Sequence, residues 1–294
     1  MKRVAVILLC VSLLLSVIGC GKKKETDETP VDLPVKKAES LLYYNGDVTL
    51  RFTYSDDKWV WVDGPAFPLD DSTITQIIEE LPKLLAQQPI KAVDMSVYGL
   101  AEPTRYLTIT GEEESGTFYF GTQTPEENWY MKLDGGKEVY LIPNEFMLLL
   151  SQSVYDMAIL PTLPELTEDI VTFIGVSCGE ENNTYLLQTD GVWKTNGEDV
   201  SATARKILQE VADIRITRCV DYFPASGVRE LCGLADGAIT VTFQYTNSVG
   251  TESEMILTIG GETESGGSRY VTIGDSSAIY CLPSVQLTTL LSML

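Results

Sequence analysis

The stretch "SDDK" at Ser55–Lys58 has the S-x-x-K spacing that, at the start of a helix, sets a hydroxyl nucleophile beside an amine base. "KTN" at Lys194–Asn196 faintly echoes the third motif that accompanies such a pair. Here, however, the serine lies between "VTLRFTY" and "KWVWV", two alternating runs, where Ser-Asp-Asp is hairpin chemistry. "GDSSA" at Gly274–Ala278 lacks the second glycine of a nucleophile elbow and reads as a turn. The chain has no histidine, which removes the commonest general base, the commonest zinc ligand and the usual partner of a serine or cysteine nucleophile. The acids cluster in pairs and triplets, among them Asp56-Asp57, Glu112–Glu114 and Glu180-Glu181, and none fits a calcium loop. These residues predict no catalytic residue, no metal site and no cofactor. The alternative is a carboxylate-dependent exported hydrolase or carbohydrate-binding protein, with Trp59, Trp129, Tyr130 and Tyr270 offering rings to a ligand.

One thiol does carry a reaction. "MKRVAVILLCVSLLLSVIGC" has a basic start, an apolar run from Val4 to Ile18 and a small residue before Cys20. This is the layout of a secretory signal, and the apolar run is short for a membrane-spanning helix. "VIGC" resembles the lipobox of bacterial lipoproteins, in which the cysteine sulfur takes a diacylglyceryl group and becomes the first mature residue. The reading is a lipoprotein signal peptide over 1–19, then Cys20 as the lipid anchor and a polar tether over 20–40, and hence an extracytoplasmic protein held on a bacterial membrane. Without residues 1–19 the chain has 19 basic and 42 acidic residues, a net charge of −23. Such a charge excludes nucleic acid as a partner and fits a solvated ectodomain. Four cysteines remain beyond the anchor: Cys178, Cys219, Cys232 and Cys281. Cys219 and Cys232 flank one loop and are the candidate bridge, although four cysteines allow three pairings.

What positions these residues is a pattern that occurs twice. "YGLAEP" at Tyr98–Pro103 returns as "CGLADG" at Cys232–Gly237, aligning Gly99-Leu100 with Gly233-Leu234 as structural turns. Trp61 then aligns with Trp193, "FYFG" ending at Gly121 with "LTIG" ending at Gly260, and "VYLIP" at Val139–Pro143 with "IYCLP" at Ile279–Pro283. The landmarks keep their order, which predicts a tandem pair of similar domains, 41–161 and 162–294. In each, short alternating strands precede an amphipathic helix, Ser72–Leu85 or Ser201–Ile214, whose apolar residues recur at 3.6 spacing. Asp71 or Ser72 is the expected cap of the first helix, and Pro82 is expected to kink or end it early. Four further strands and a short helix complete each copy. The fold class is α+β: two tandem similar domains, each a mainly antiparallel sheet packed with one amphipathic helix plus a short terminal helix.

The succession "W…DG", helix, "YGL.EP", a strand ending in glycine, "WY" and "VYLIP" resembles the bacterial envelope proteins catalogued as domain of unknown function 4340. The resemblance covers Leu41–Tyr155 well. The second copy departs from it, with Cys232 for tyrosine, Gly237 for proline and Arg269 where Trp129 stands. It implies an extracytoplasmic, anchored and non-catalytic binding or scaffold protein, accessory to an envelope transporter. Its expected partners are membrane lipid through Cys20 and an envelope protein. It brings no catalytic residue.

Overall fold

The computed structural model describes residues 33–292, so the expected signal peptide, the expected anchor Cys20 and the first part of the expected tether lie outside the described residues. The first sheet is built from β1 (Ser40–Tyr44), β2 (Thr49–Ser55), β3 (Lys58–Trp61), β4 (Ile90–Lys91), β5 (Arg105–Thr110), β6 (Ser115–Gln123), β7 (Trp129–Leu133) and β8 (Glu138–Ile142). Helix α1 (Ser72–Leu85) falls between β3 and β4, and α2 (Asn144–Ser151) follows β8. The second sheet holds β9 (Val171–Cys178), β10 (Glu181–Leu187), β11 (Trp193–Thr195), β12 (Glu198–Asp199), β13 (Arg218–Asp221), β14 (Ile239–Thr246), β15 (Glu252–Glu262), β16 (Ser268–Ile273) and β17 (Ile279–Pro283). Helix α3 (Ser201–Ala212) follows β12, α4 (Val228–Leu231) follows β13, and a helical turn at Ser284–Leu287 leads into α5 (Thr288–Leu291).

The first sheet runs β3-β2-β1-β5-β6-β7-β8-β4 and the second β12-β11-β10-β9-β14-β15-β16-β17-β13. Apart from the extra edge strand β12, the two orders coincide strand for strand. Neighbours are antiparallel, as at Tyr43↔Leu107 and Val241↔Leu257. Alternation explains the pairing: β2 buries Leu50 and Phe52 and turns Thr49, Arg51 and Thr53 outward, so a one-residue slip would expose the apolar set.

Each sheet carries its helix on one face. Helix α1 buries Ile74, Ile77, Leu81, Leu84 and Leu85, and α3 buries Ala204, Ile207, Leu208 and Val211. At about 1.5–3 kcal/mol per fully buried large aliphatic side chain, this stripe outweighs the weak propensity of the intervening polar residues. Pro82 does not end α1. The helix runs on to Leu85 and the Ala86 N–H donates to the Pro82 carbonyl, because Leu81, Leu84 and Leu85 are anchored in the core on both sides of the ring. Helix α3 stops at Ala212, two residues short of the expected end, while Ile214 stays buried as the chain turns away.

Neither helix is capped as its sequence suggests. Asp71 makes no cap hydrogen bond; its Oδ2 accepts the Trp59 N–H at 3.1 Å and ties β3 to the helix start. Ser201 does the same in the second sheet, its Oγ accepting the Trp193 N–H at 3.0 Å. Trp59 and Trp193 are both buried, so by place in the fold Trp193 matches Trp59 rather than Trp61. Trp61 is released for another use.

Candidate functional site: the aromatic seam between the sheets

The segment joining β3 to α1, "VDGPAFPLDD" at Val62–Asp71, is longer than the one joining β11 to α3, and the excess forms the seam. Phe67 is 6 % exposed and sits among three rings: edge-on to Trp61 at 5.6 Å, edge-on to Tyr222 at 5.3 Å, and tilted to Tyr155 at 5.9 Å. Phe223 packs on Tyr222 at 4.8 Å and on Trp61 at 6.4 Å, and remains about half exposed at 48 %. A side chain on Gly64 would meet the Trp61 ring at 2.6 Å and the Phe223 ring at 2.9 Å, so glycine is what lets the two close over that turn. Offset and edge-to-face pairs such as these add about 0.5–1.5 kcal/mol each beyond their buried area.

A helical turn at Val154–Met157 supplies Tyr155. Its capping box fixes it: the Asp156 carboxylate accepts from the Ser153 N–H at 2.9 Å, and Ser153 Oγ accepts from the Asp156 N–H at 3.3 Å. Backbone bonds from Asp70 N–H to Met157 O and from Ile159 N–H to Pro68 O, both 2.7 Å, lash this turn to the Phe67 segment. The Tyr155 hydroxyl donates to Asp221 Oδ1 at 3.0 Å, and the Phe223 N–H donates to the same oxygen at 3.1 Å. One carboxylate on β13 therefore orients both the first sheet's tyrosine and its own sheet's phenylalanine. The Trp61 Nε1–H is buried with no protein acceptor. Across the seam the buried side chains of both sheets form one continuous core.

Burial and the Asp221 carboxylate push the Tyr155 hydroxyl up to about 12. Burial alone raises Tyr43, and burial with the Cys219 and Tyr222 charges raises Tyr280 to about 12. Groups raised in the folded state contribute in full below their unfolded values, near 10 for tyrosine, and lose that contribution as pH climbs through the folded value. Stability is therefore expected to fall between about pH 10 and 12. In an alkaline titration, tyrosinate absorbance from these rings and loss of the β-sheet circular dichroism should share one step. Tyrosine ionisation complete well before unfolding would refute it.

The motifs singled out in the sequence lie elsewhere. Ser55 and Lys58 close the β2–β3 turn, with Asp56 and Asp57 at φ 52° and 60°, a two-residue hairpin and not a helix start. Lys194 is on β11, paired with Asp190 at 3.7 Å, and Asn196 and Gly197 form the β11–β12 turn with φ 49° and 89°. Gly274 opens a turn at φ 59°, in which Ser276 Oγ accepts the Ala278 N–H.

The repeated Gly-Leu turn is one device made twice. Gly99 and Gly233 have φ 67° and 68°, and Leu100 and Leu234 are buried. The turn lies on a glycine of the neighbouring strand: the Tyr98 carbonyl rests against Gly121 and the Cys232 carbonyl against Gly260, where any Cβ would overlap it. The Cys232 carbonyl also accepts the Gly261 N–H at 2.9 Å.

The four aromatics expected to face a ligand have structural partners. Trp59 is buried beside Tyr54, and Tyr130 stands edge-on to Tyr98 at 4.9 Å. Trp129 Nε1 donates to Asn144 at 3.0 Å, with the Arg105 guanidinium over its ring at 5.2 Å. Tyr270 packs on the small cluster of Cys232, Leu234 and Ile279. Arg269, which replaces a tryptophan at this place, donates to the Gly260 carbonyl at 2.8 Å.

The expected Cys219–Cys232 bridge is not formed: both are free thiols, as are Cys178 and Cys281. Cys219 belongs to the main core and Cys232 to the separate small cluster, so flanking the same loop does not bring them together. Burial pushes the Cys219 thiol up to about 11 and also raises Cys232. Native alkylation at pH 8 is thus expected to modify Cys178, the partly exposed thiol, well before Cys219, Cys232 or Cys281. Peptide mapping after timed iodoacetamide quenches tests this, and labelling of Cys219 at the rate of Cys178 would contradict it.

A depression of about 580 Å³ between 164–170 and 245–248 brings Glu165 and Asp169 near Tyr245. Asp169 is held below the usual carboxylate range by its hydrogen bond with Thr167, which keeps it charged and unsuited to donate a proton. Among the described residues, no group of three or more acids and cysteines is arranged to hold a metal ion. Nor is any helix among them long and apolar enough to cross a membrane.

The family model described as Domain of unknown function (DUF4340) matches residues 59–226. No curated protein and no solved structure matches the chain. The matched span opens at Trp59 and closes just past Phe223, so both sides of the seam lie inside it.

Proposed function

The chain belongs to the family described as Domain of unknown function (DUF4340), and from that membership we propose that it is a lipid-anchored, extracytoplasmic binding or scaffold protein, accessory to an envelope transporter complex. In this reading two tandem copies of one α+β fold are joined by the seam into a single body held on the membrane through Cys20. The observation that carries it is the seam itself. It uses residues from the longer β3–α1 segment of one sheet and the β13–α4 segment of the other to fuse two sheets of the same strand order. Such a body presents a fixed surface to a partner, and preorganised surfaces bind with less ordering cost than mobile ones. The exposed edge of Phe223 stands at the rim of that surface.

In-cell crosslinking and affinity purification of the native protein, beside a Cys20→Ala control, tests the proposal. Recovery of an envelope permease only with the lipidated form supports it. Equal recovery from both forms, or nothing above background, refutes the accessory role. The second reading, an exported carbohydrate-binding protein or carboxylate-dependent hydrolase, is favoured by the Glu165, Asp169 and Tyr245 depression alone. Its test is glycan binding lost in Tyr245→Ala.

A further inference from the structure

The residues just before β1 are not loose chain. Val35 is 4 % exposed and belongs to the main core, with Leu33 packed beside it. Two glycines of the β5–β6 hairpin make room for the segment. Pro34 occupies the place where a Gly116 side chain would stand, and a Cβ on Gly111 would meet the Lys37 carbonyl at 2.5 Å and the Val35 methyl at 2.7 Å. Gly116 shares the core-facing side of β6 with Phe118 and Phe120. The Lys36 N–H donates to Glu114 Oε2 at 3.4 Å and the Glu39 N–H to the Thr110 carbonyl at 2.8 Å. Leu33–Lys37 is therefore a strap that crosses the hairpin turn and closes the core at that end of the first sheet.

We propose that the β5–β6 turn of the first sheet is the membrane-proximal end of the protein, and that this strap holds it close to the bilayer by shortening the tether. The inference rests on the lipid-anchored reading. Twelve residues, 21–32, separate Cys20 from the strap, and whatever their conformation they span at most about 43 Å. The opposite turn, between β7 and β6 at Glu126, lies the length of the nine-residue β6 further away, about 30 Å. Ser40 pairs with Thr110 at this same end, so a chain free up to Ser40 would leave from there too, on a longer tether. The end so presented carries Glu39, Glu112, Glu113 and Glu114 with Lys36 and Lys37 beside them, all exposed. An anionic bilayer repels four of these charges and attracts two, and the balance fades within a Debye length of about 8 Å. The end therefore faces the lipid without adhering to it, and the lipid on Cys20 is the attachment.

The test uses the full-length lipidated protein in phosphatidylethanolamine–phosphatidylglycerol vesicles containing a nitroxide-headgroup lipid. In a Cys178→Ser background, a fluorophore is placed at Glu113→Cys or Glu126→Cys, two exposed turn positions at opposite ends of β6. Quenching at position 113 is expected to be about threefold that at 126. Gly116→Ala, which displaces Pro34, should lower quenching at 113 and with it the ratio, because the tether lengthens while the chain still leaves at the same end. It should also speed trypsin cleavage after Lys36 and Lys37 by about tenfold, with circular dichroism unchanged. Pro34→Gly is the second variant, expected to act in the same direction without adding bulk to β6. Equal quenching at the two positions with the lipid verified on Cys20 by mass spectrometry overturns the orientation and leaves the anchor intact. Absence of lipid on Cys20 overturns the anchored reading and the orientation with it. Wild-type protein cleaved as fast as both variants overturns the strap.

Discussion

Gly121→Ala is expected to destabilise the protein by about 2–4 kcal/mol, and Gly260→Ala by a similar amount. At Gly121 the new methyl would overlap the Tyr98 carbonyl and press on the Leu100 side chain at 3.0 Å; at Gly260 it would overlap the Cys232 carbonyl and press on Leu234 at 3.0 Å. The obstacle in each case is backbone, which cannot rotate aside as a flexible side chain would. Relief requires moving the Gly-Leu turn, and that turn buries a leucine. Gly135→Ala is the control: its φ is 67°, so alanine is strained there, but nothing stands within 4 Å, and the cost should stay near about 1 kcal/mol. Urea unfolding of the three variants checks the ranking. A Gly121→Ala variant no less stable than Gly135→Ala would show that the turn is not seated on β6 as described.

Phe67→Ala is expected to cost about 3–5 kcal/mol and to change how the protein unfolds. Phe67 is the ring on which Trp61, Tyr155 and Tyr222 converge, so its loss leaves a cavity between the sheets rather than within one of them. The wild type should unfold in one transition because its core is continuous across the seam. The variant should show two, with amide exchange in the second sheet decoupled from exchange in the first. Tyr155→Phe keeps the rings and removes only the hydrogen bond to Asp221, so it should cost about 1 kcal/mol and retain a single transition. A single cooperative transition in Phe67→Ala at unchanged stability would mean that the seam carries no coupling between the sheets.

The local elements were legible because their causes are local. The 3.6-residue apolar stripe and the polar start give α1 the span Ser72–Leu85 from sequence, and the Asp-Asp turn gives the β2–β3 hairpin. The Gly-Leu turns were legible as structural turns because few residues other than glycine accept a φ near 67°. Three other features were not. Trp61 resembles Trp193 by spacing, but Trp59 takes its place in the fold, because the longer β3–α1 segment shifts the count. Asp71 has a cap's position and spends its carboxylate on the Trp59 N–H. The polar, proline-containing segment before β1 looks like tether throughout, yet Pro34 and Val35 fill space left by two glycines far along the chain.

The sequence by itself therefore determined the amphipathic helices, the hairpins and the Gly-Leu turns, and the absence of histidine chemistry. These follow from residue type, spacing and period, all short-range properties of the chain. Only the tertiary structure decided that Trp61, Phe67, Tyr155, Tyr222 and Phe223 meet, that Asp221 holds the far tyrosine, and that Cys219 and Cys232 stay apart. Those contacts join residues up to about 160 positions apart, and their partners are chosen by sheet order and burial, which no local pattern encodes.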